Sequence, residues 1–229
     1  MLNIVAISGS LQKASTNTGV LRSLVAHKHK ALNIEILSIA DFPLYSEDIE
    51  RLGVPEAVKK VAEKVKAADG IIFAVTEYNN CVSAPLKNAY DWLSRGGDKA
   101  VVYQKPVGFV SAGLNGGSSA QTHMKDEIQY CKLKLMETPK IQILRFQPGN
   151  FSEDGSLINK TLIDELLPFL DAFAAFVKKN KAWYDHRFEN SPYKSNLKCL
   201  FHNHIINEVT GLLLVPNLIL NTYCYGKLI

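Results

Sequence analysis

The chain contains no C-x-x-C pair, no block of Lys and Arg, and no apolar run of membrane-spanning length. Its four cysteines, Cys81, Cys131, Cys199 and Cys224, are widely scattered. That spacing argues against a disulfide framework or a zinc ribbon and suits free thiols in a reducing compartment. The 26 Lys and Arg against 22 Asp and Glu leave a formal charge of +4, dispersed along the chain. Such a balance lacks the basic stripe of a nucleic-acid binder. The apolar stretch GLLLVPNLIL, residues 211–220, is broken by Pro216 and is far shorter than the ~20 residues a membrane span needs. The opening LNIVAI has neither a basic n-region nor a cleavage site, so no signal peptide is expected and the expected location is cytoplasmic. Two phosphate-binding fingerprints are missing as well: no G-x-G-x-x-G and no G-x-x-x-x-G-K-[ST] follows the first strand. No acidic pair follows it either, which argues against a phosphoacceptor receiver domain.

What the 229 residues do contain is ordinary globular material, 47% apolar and 21% charged. Short apolar runs at 3–8, 33–39, 70–75, 106–112 and 140–145 alternate with amphipathic stretches at 17–29, 55–68, 85–94, 118–131 and 157–179. Apolar strands alternating with amphipathic helices predict an α/β fold, a doubly wound parallel sheet covered on both faces. Five strands suit the flavodoxin-like order 2-1-3-4-5, in which ligands bind beyond the carboxyl ends of the strands at the β1/β3 switch point. The expected domain is 1–182, with 183–229 a C-terminal extension.

That rule directs attention to three loops. The first, GSLQKASTNTG, residues 9–19, leads into a helix N-terminus, where exposed N–H groups and the helix dipole attract anions. Ser10, Ser15, Thr16 and Asn17 can each donate a hydrogen bond to a phosphate; the same residue types also serve as simple N-caps. The second, TEYNNCVSAP, residues 76–85, could wall a flat heteroaromatic ring with Tyr78 and meet its edge with the N–H groups of Glu77, Tyr78, Asn79 and Asn80. Ser83 and Pro85 there also read as an ordinary helix start. The third, SAGLNGGSSA, residues 111–120, is glycine-rich, which lets backbone approach a ligand.

Three stretches, AISGSLQKASTNTG, VTEYNNCVSAPLKNAYDWLSR and VSAGLNGGSSAQ, together resemble the NAD(P)H-dependent FMN reductase and quinone reductase family, flavodoxin-like in fold. The similarity extends from about residue 3 to 181 and looks closest to small soluble quinone, chromate and azo reductases. It implies bound FMN, NAD(P)H as electron donor, hydride transfer, and ping-pong delivery to a quinone, azo compound, chromate or free flavin. It also implies a homodimer or homotetramer. By position, Ser10, Ser15 and Asn17 would hold the FMN phosphate, with Gln12, Lys13 and Thr16 beside them. Glu77, Tyr78, Asn79, Asn80 and Ser83 would line the ring, Tyr78 and Asn79 forming its reactive environment. Ser111, Gly113 and Gly116 would close the other side, and Lys87, Asn88 and Asp91 would be supporting structure.

The chain departs from the family pattern at three places. Gln12 stands where the phosphate loop usually has arginine, with Lys13 adjacent as a point charge lacking the bidentate fork. Thr76 stands where proline is usual, and Ser118 or Ser119 replaces an arginine often found after the glycine-rich turn. Two rival readings follow: a flavodoxin-type FMN electron carrier, and a non-enzymatic flavodoxin-like interaction protein. In the extension, Cys199, His202 and His204 form C-x-x-H-x-H, an incomplete zinc pattern, so no metal is expected.

Overall fold

The computed structural model describes residues 1–96 and 99–189. Met1–Asp185 forms one compact unit. The second unit, His186–Ile229, lies outside the described residues except for the end of a helix that reaches Glu189. Cys199, His202, His204 and Cys224 therefore lie outside them too.

Elements follow in the order β1 (Leu2–Ser8), α1 (Thr16–Ala26), β2 (Leu32–Leu37), α2 (Glu47–Arg51), α3 (Glu56–Ala67), β3 (Gly70–Ala74), β4 (Glu77–Tyr78), β5 (Cys81–Val82), α4 (Ala84–Leu93), β6 (Pro106–Gly113), α5 (Ser118–Glu127), β7 (Lys134–Leu135), β8 (Ile141–Leu144) and α6 (Lys160–Glu189). The main sheet runs β2-β1-β3-β6-β7, with β8 also pairing β6, and every pairing in it is parallel. This is the doubly wound order expected from the sequence, with one addition. The outer edge is two short strands: β7 pairs the start of β6 at Pro106 and Val107, and β8 pairs its end from Val110 to Gly113. Pro139 lies between them and has no N–H to give a ladder.

Alternation along the strands builds two cores. Val5, Ile7, Ile71, Phe73, Val107 and Phe109 face one side and pack with Val61 and Val65 of α3, Leu86 and Leu93 of α4, and Met124 of α5. Ile4, Ala6, Ile72, Ala74, Val110 and Ala112 face the other and pack with Val20, Leu21 and Leu24 of α1 and a stripe on α6. That stripe, Leu166, Phe169, Leu170, Phe173 and Val177, has the three- and four-residue spacing of a helix face. Because both faces are covered, backbone free to meet a ligand is left at the ends of the strands. Among the described residues, no helix is long and apolar enough to cross a membrane.

The N-terminal half of α1 is pinned by a backbone contact that tolerates no side chain. A Cβ on Gly19 would lie 1.9 Å from the carbonyl oxygen of Gly155. Gly155 has φ +78, and a Cβ there would come within 2.5 Å of the Ala14 carbonyl. The segment that follows β8 is thus pressed directly on the start of α1. Gly19→Ala is expected to destabilise the protein by about 3 kcal/mol, the upper end for overpacking against backbone that cannot move aside. A urea titration of both proteins, compared at equal m-value, measures it.

Candidate functional site

An open cleft of about 200 Å³ lies at the carboxyl ends of β1, β3, β6 and β8, lined by Ser10, Gln12, Ser15, Thr16 and Asn17, by Thr76 to Tyr78, by Ala112 to Leu114, and by Arg145 and Phe146. All three loops chosen by the switch-point rule contribute. A fourth segment, directly after β8, contributes too, and sequence reasoning missed it.

The walls are set by hydrogen bonds that continue the sheet past its strands. Gly9 N–H donates to the Ala74 carbonyl at 2.9 Å, and Val75 N–H to the Val110 carbonyl at 2.8 Å. Ser83 Oγ donates to the Gly9 carbonyl at 2.7 Å, while Ser83 N–H donates to the Thr76 carbonyl. Ser83 is fully buried and does not line the cleft; it fastens the β3 exit to the β1 exit. Its place at the start of α4 carries no side-chain cap.

Asn17 is similarly committed. Its carboxamide donates to the Ala112 carbonyl at 2.9 Å and accepts from the Ala112 N–H at 3.0 Å, a two-point clamp between α1 and the end of β6. Ser15 is the N-cap of α1, its Oγ accepting from Thr18 N–H, so its own hydroxyl hydrogen is left to donate. Ser10 Oγ accepts from Gln12 N–H and retains a donor in the same way. Thr16 lines the cleft, whereas Lys13 is exposed and does not.

The segment expected as an irregular ring-lining loop is a tight hairpin. Glu77–Tyr78 pairs antiparallel with Cys81–Val82 across a two-residue turn. Asn79 and Asn80 occupy that turn with φ of 51 and 61, the left-handed conformation that two-residue hairpins require and asparagine accepts. They sit at the tip of the hairpin, beside the residues that line the cleft. Glu77 and Tyr78 do line it. The Glu77 carboxylate accepts from Ala120 N–H at 2.9 Å, in the first turn of α5, where the helix dipole favours its charge. Tyr78 is 55% exposed, its ring standing open at the mouth. His123 Nδ1 accepts from Val82 N–H and braces the hairpin from behind.

In the glycine-rich turn, Gly113 lines the cleft but Ser111 and Gly116 do not. Ser111 is fully buried; its Oγ donates to the Gly116 carbonyl and accepts from Gln121 Nε2. Gly117, with φ +76, passes so close that a Cβ would fall 2.7 Å from that of Ser111. These residues shape the turn from below. Asn88 bonds Pro43 O and Tyr45 N–H, and Lys87 pairs with Asp91 at 2.6 Å and with Glu127 at 3.5 Å, so this helix face is structural.

The lining contains hydroxyls, amides, one carboxylate already bonded, and one cation, Arg145. Among the described residues it includes no His, Lys or Cys. Thr76 Oγ1 is buried there with no hydrogen-bond partner among the described residues. A buried hydroxyl is rarely left so; its oxygen is sealed within the protein rather than open to the cleft. No group of His, Cys, Asp and Glu suited to a metal occurs among the described residues. Cys81 is exposed and Cys131 buried, both as free thiols.

Residues 2–144 match the family described as NADPH-dependent FMN reductase. An NADPH:quinone oxidoreductase of Arabidopsis thaliana is 36% identical over 182 residues, 77% of this chain and 92% of that one. A quinone reductase of Escherichia coli is 34% identical over 184 residues, 79% of this chain and 97% of that one. Among solved structures, FerB, a flavoenzyme NAD(P)H:(acceptor) oxidoreductase from Paracoccus denitrificans, superposes with TM-score 0.70 at 25% identity, covering 79% of this chain and 99% of that one.

The geometry separates scaffold from contact surface. Asn17→Ala strands the N–H and carbonyl of buried Ala112 and is expected to cost about 2–4 kcal/mol, whereas Tyr78→Ala, at an exposed ring, should cost under about 0.5 kcal/mol. Urea midpoints for the two variants give the comparison directly.

Proposed function

The chain belongs to the NADPH-dependent FMN reductase family, and from that premise we propose that it is an FMN-dependent oxidoreductase taking electrons from NAD(P)H and passing them to a quinone or a similar small acceptor. The observation that carries this reading is the donor set of the cleft. The hydroxyls of Ser10, Ser15 and Thr16 stand at the N-terminus of α1, and the exposed Tyr78 ring lines the same cleft. A phosphorylated flat heteroaromatic matches both. The relatives' named activities point the same way.

Bound FMN would supply reversible two-electron redox chemistry at this site. The side chains supply placement. Ser10, Ser15 and Thr16 line the cleft at the start of α1 and would donate to the phosphate, to which the first N–H groups of α1 would add their partial charge. Ala112 and Gly113 keep one wall low, so a planar group can lie against backbone. Tyr78 covers part of the opposite side and limits water. Glu77, held by α5, keeps the hairpin in place rather than serving as a free base. With no imidazole, amine or thiol in the lining among the described residues, and its carboxylate bonded, orientation and fixed dipoles are what the protein offers.

At about 200 Å³ the cleft is smaller than the roughly 300–1,000 Å³ of pockets that engulf a ligand, so one ring face stays open. Donor and acceptor would use that face in turn, which makes turnover ping-pong and acceptor choice broad. The free thiols Cys81 and Cys131 fit a cytoplasmic setting. Exposed Leu44 and Leu52, around α2, fit a homo-oligomer that covers them. The reductase domain is residues 1–182, and 183–229 is an extension dispensable for turnover.

The purified full chain should be yellow, bleach on anaerobic addition of NADPH, and recover colour with a quinone. Tyr78→Ala should retain FMN but lose at least about tenfold in kcat/KM for the quinone, the size expected when an orienting wall is removed. A colourless protein that takes up no added FMN would overturn the assignment, and one that binds FMN without oxidising NADPH would make it an electron carrier.

A further inference from the structure

We propose that Arg145 is the cation that binds the phosphate of FMN, supplied from the segment after β8 in place of the loop after β1. The inference rests on the assignment of the cleft to FMN and adds a residue to it.

Four observations carry it. First, the loop after β1 presents Gln12 to the cleft, and the neighbouring Lys13 is exposed outside the lining, so that loop brings hydroxyls and an amide but no cation. Second, among the described residues Arg145 is the one positively charged side chain in the lining, sharing the cleft with Ser10, Ser15 and Thr16. Third, its charge is uncommitted. Its guanidinium lies 5.1 Å from the ring centroid of exposed Phe146, and it takes part in none of the ion pairs found among the described residues. A guanidinium resting on an aromatic face keeps its in-plane N–H groups free to donate.

Fourth, the backbone beneath Arg145 is braced on both sides. Arg145 N–H donates to the Gly113 carbonyl at 2.9 Å, extending the β6–β8 ladder by one residue. The buried Asn150 holds the far side of the turn: its Nδ2 donates to the Leu144 carbonyl at 2.9 Å, and its Oδ1 accepts from Asn159. Beyond it, Gly155 is pressed on Ala14 and Gly19, at the start of α1. The residue that carries the charge and the helix end that carries the N–H donors are therefore locked to the same framework. A phosphate bound between them would meet a planar, permanently charged fork on one side and hydroxyls on the other.

A comparison of FMN with riboflavin, which lacks the phosphate, isolates this role. Binding to the apoprotein of the full chain is followed by quenching of flavin fluorescence. For Arg145→Gln the FMN Kd should rise by about tenfold to a hundredfold, the range for one charge-assisted hydrogen-bonding partner, while the riboflavin Kd stays within about twofold. Arg145→Lys should fall between the two, keeping charge without the fork. Placing the charge back on the first loop, in Q12R/R145Q, should recover most of the lost FMN affinity. The far-UV circular dichroism of each variant should match the parent, since Arg145 has no buried partner.

Equal weakening of FMN and riboflavin would overturn the inference, and so would an unchanged FMN Kd. An unchanged FMN-to-riboflavin ratio with loss of any NADPH-over-NADH preference would also overturn it, assigning Arg145 to the electron donor instead. A parent protein that takes up neither flavin would overturn the assignment of the cleft itself. FMN uptake by the parent with no change in the variant would overturn only the role of Arg145.

Discussion

The bidentate clamp between the Asn17 carboxamide and the backbone of Ala112 is the interaction on which the site's shape depends. α1 packs on one face of the sheet by apolar contact, and apolar contact alone would let it slide. Two hydrogen bonds of fixed direction, buried at the end of β6, set where the helix N-terminus stands relative to the strand ends. The Gly19–Gly155 contact enforces the same position from the other side by excluding any Cβ. With α1 fixed, the Ser10, Ser15 and Thr16 donors are fixed, and the cleft has a defined floor. Ser83 does the same for the third wall by tying the hairpin segment to Gly9.

This arrangement explains which parts of the site were legible in the sequence. The doubly wound order was legible because burial on both faces leaves near-continuous apolar strands such as GIIFA, all five residues of which are buried. The three loops followed from the topology, and Tyr78 and Ser10 from the loops. Asn17, Ser83 and Ser111 are harder, because a buried structural amide or hydroxyl and a ligand-binding one are the same residue type. Only the geometry shows that Asn17 spends one donor and its acceptor on Ala112, and that Ser111 spends its hydroxyl on the turn below it. Asn79 and Asn80 carried a different signal. Two adjacent asparagines between short β-prone pairs are a hairpin turn, and the left-handed φ of both residues is what asparagine is tolerating there.

Arg145 and Phe146 were invisible for a topological reason. The switch-point rule selects the crevice between β1 and β3 and the strand beside it. It says nothing of the edge strand. Here that edge is short and double, β7 and β8 sharing β6, and the chain leaves β8 directly over Gly113. The exit of β8 stands at the cleft's rim because its last residue, Leu144, pairs Gly113, the last residue of β6.

The electrostatics of the cleft then follow from few groups. Among the described residues Glu77 is its one carboxylate, and the Ala120 N–H in the first turn of α5 donates to it. Arg145 and the N-terminus of α1 remain, both positive, at a site otherwise made of hydroxyls, amides and carbon. An anionic group is favoured by field as well as by hydrogen bonds, and the field is strongest where solvent is thinnest. A cation on the β1 loop would stand on a surface segment anchored mainly by short-range turns among Ser8, Ser10 and Gln12. One on the β8 exit stands on a ladder hydrogen bond with the Asn150 turn beyond it, so less conformational freedom is lost when it closes on a ligand. Moving the charge between loops therefore preserves its sign at the site while changing how rigidly it is presented.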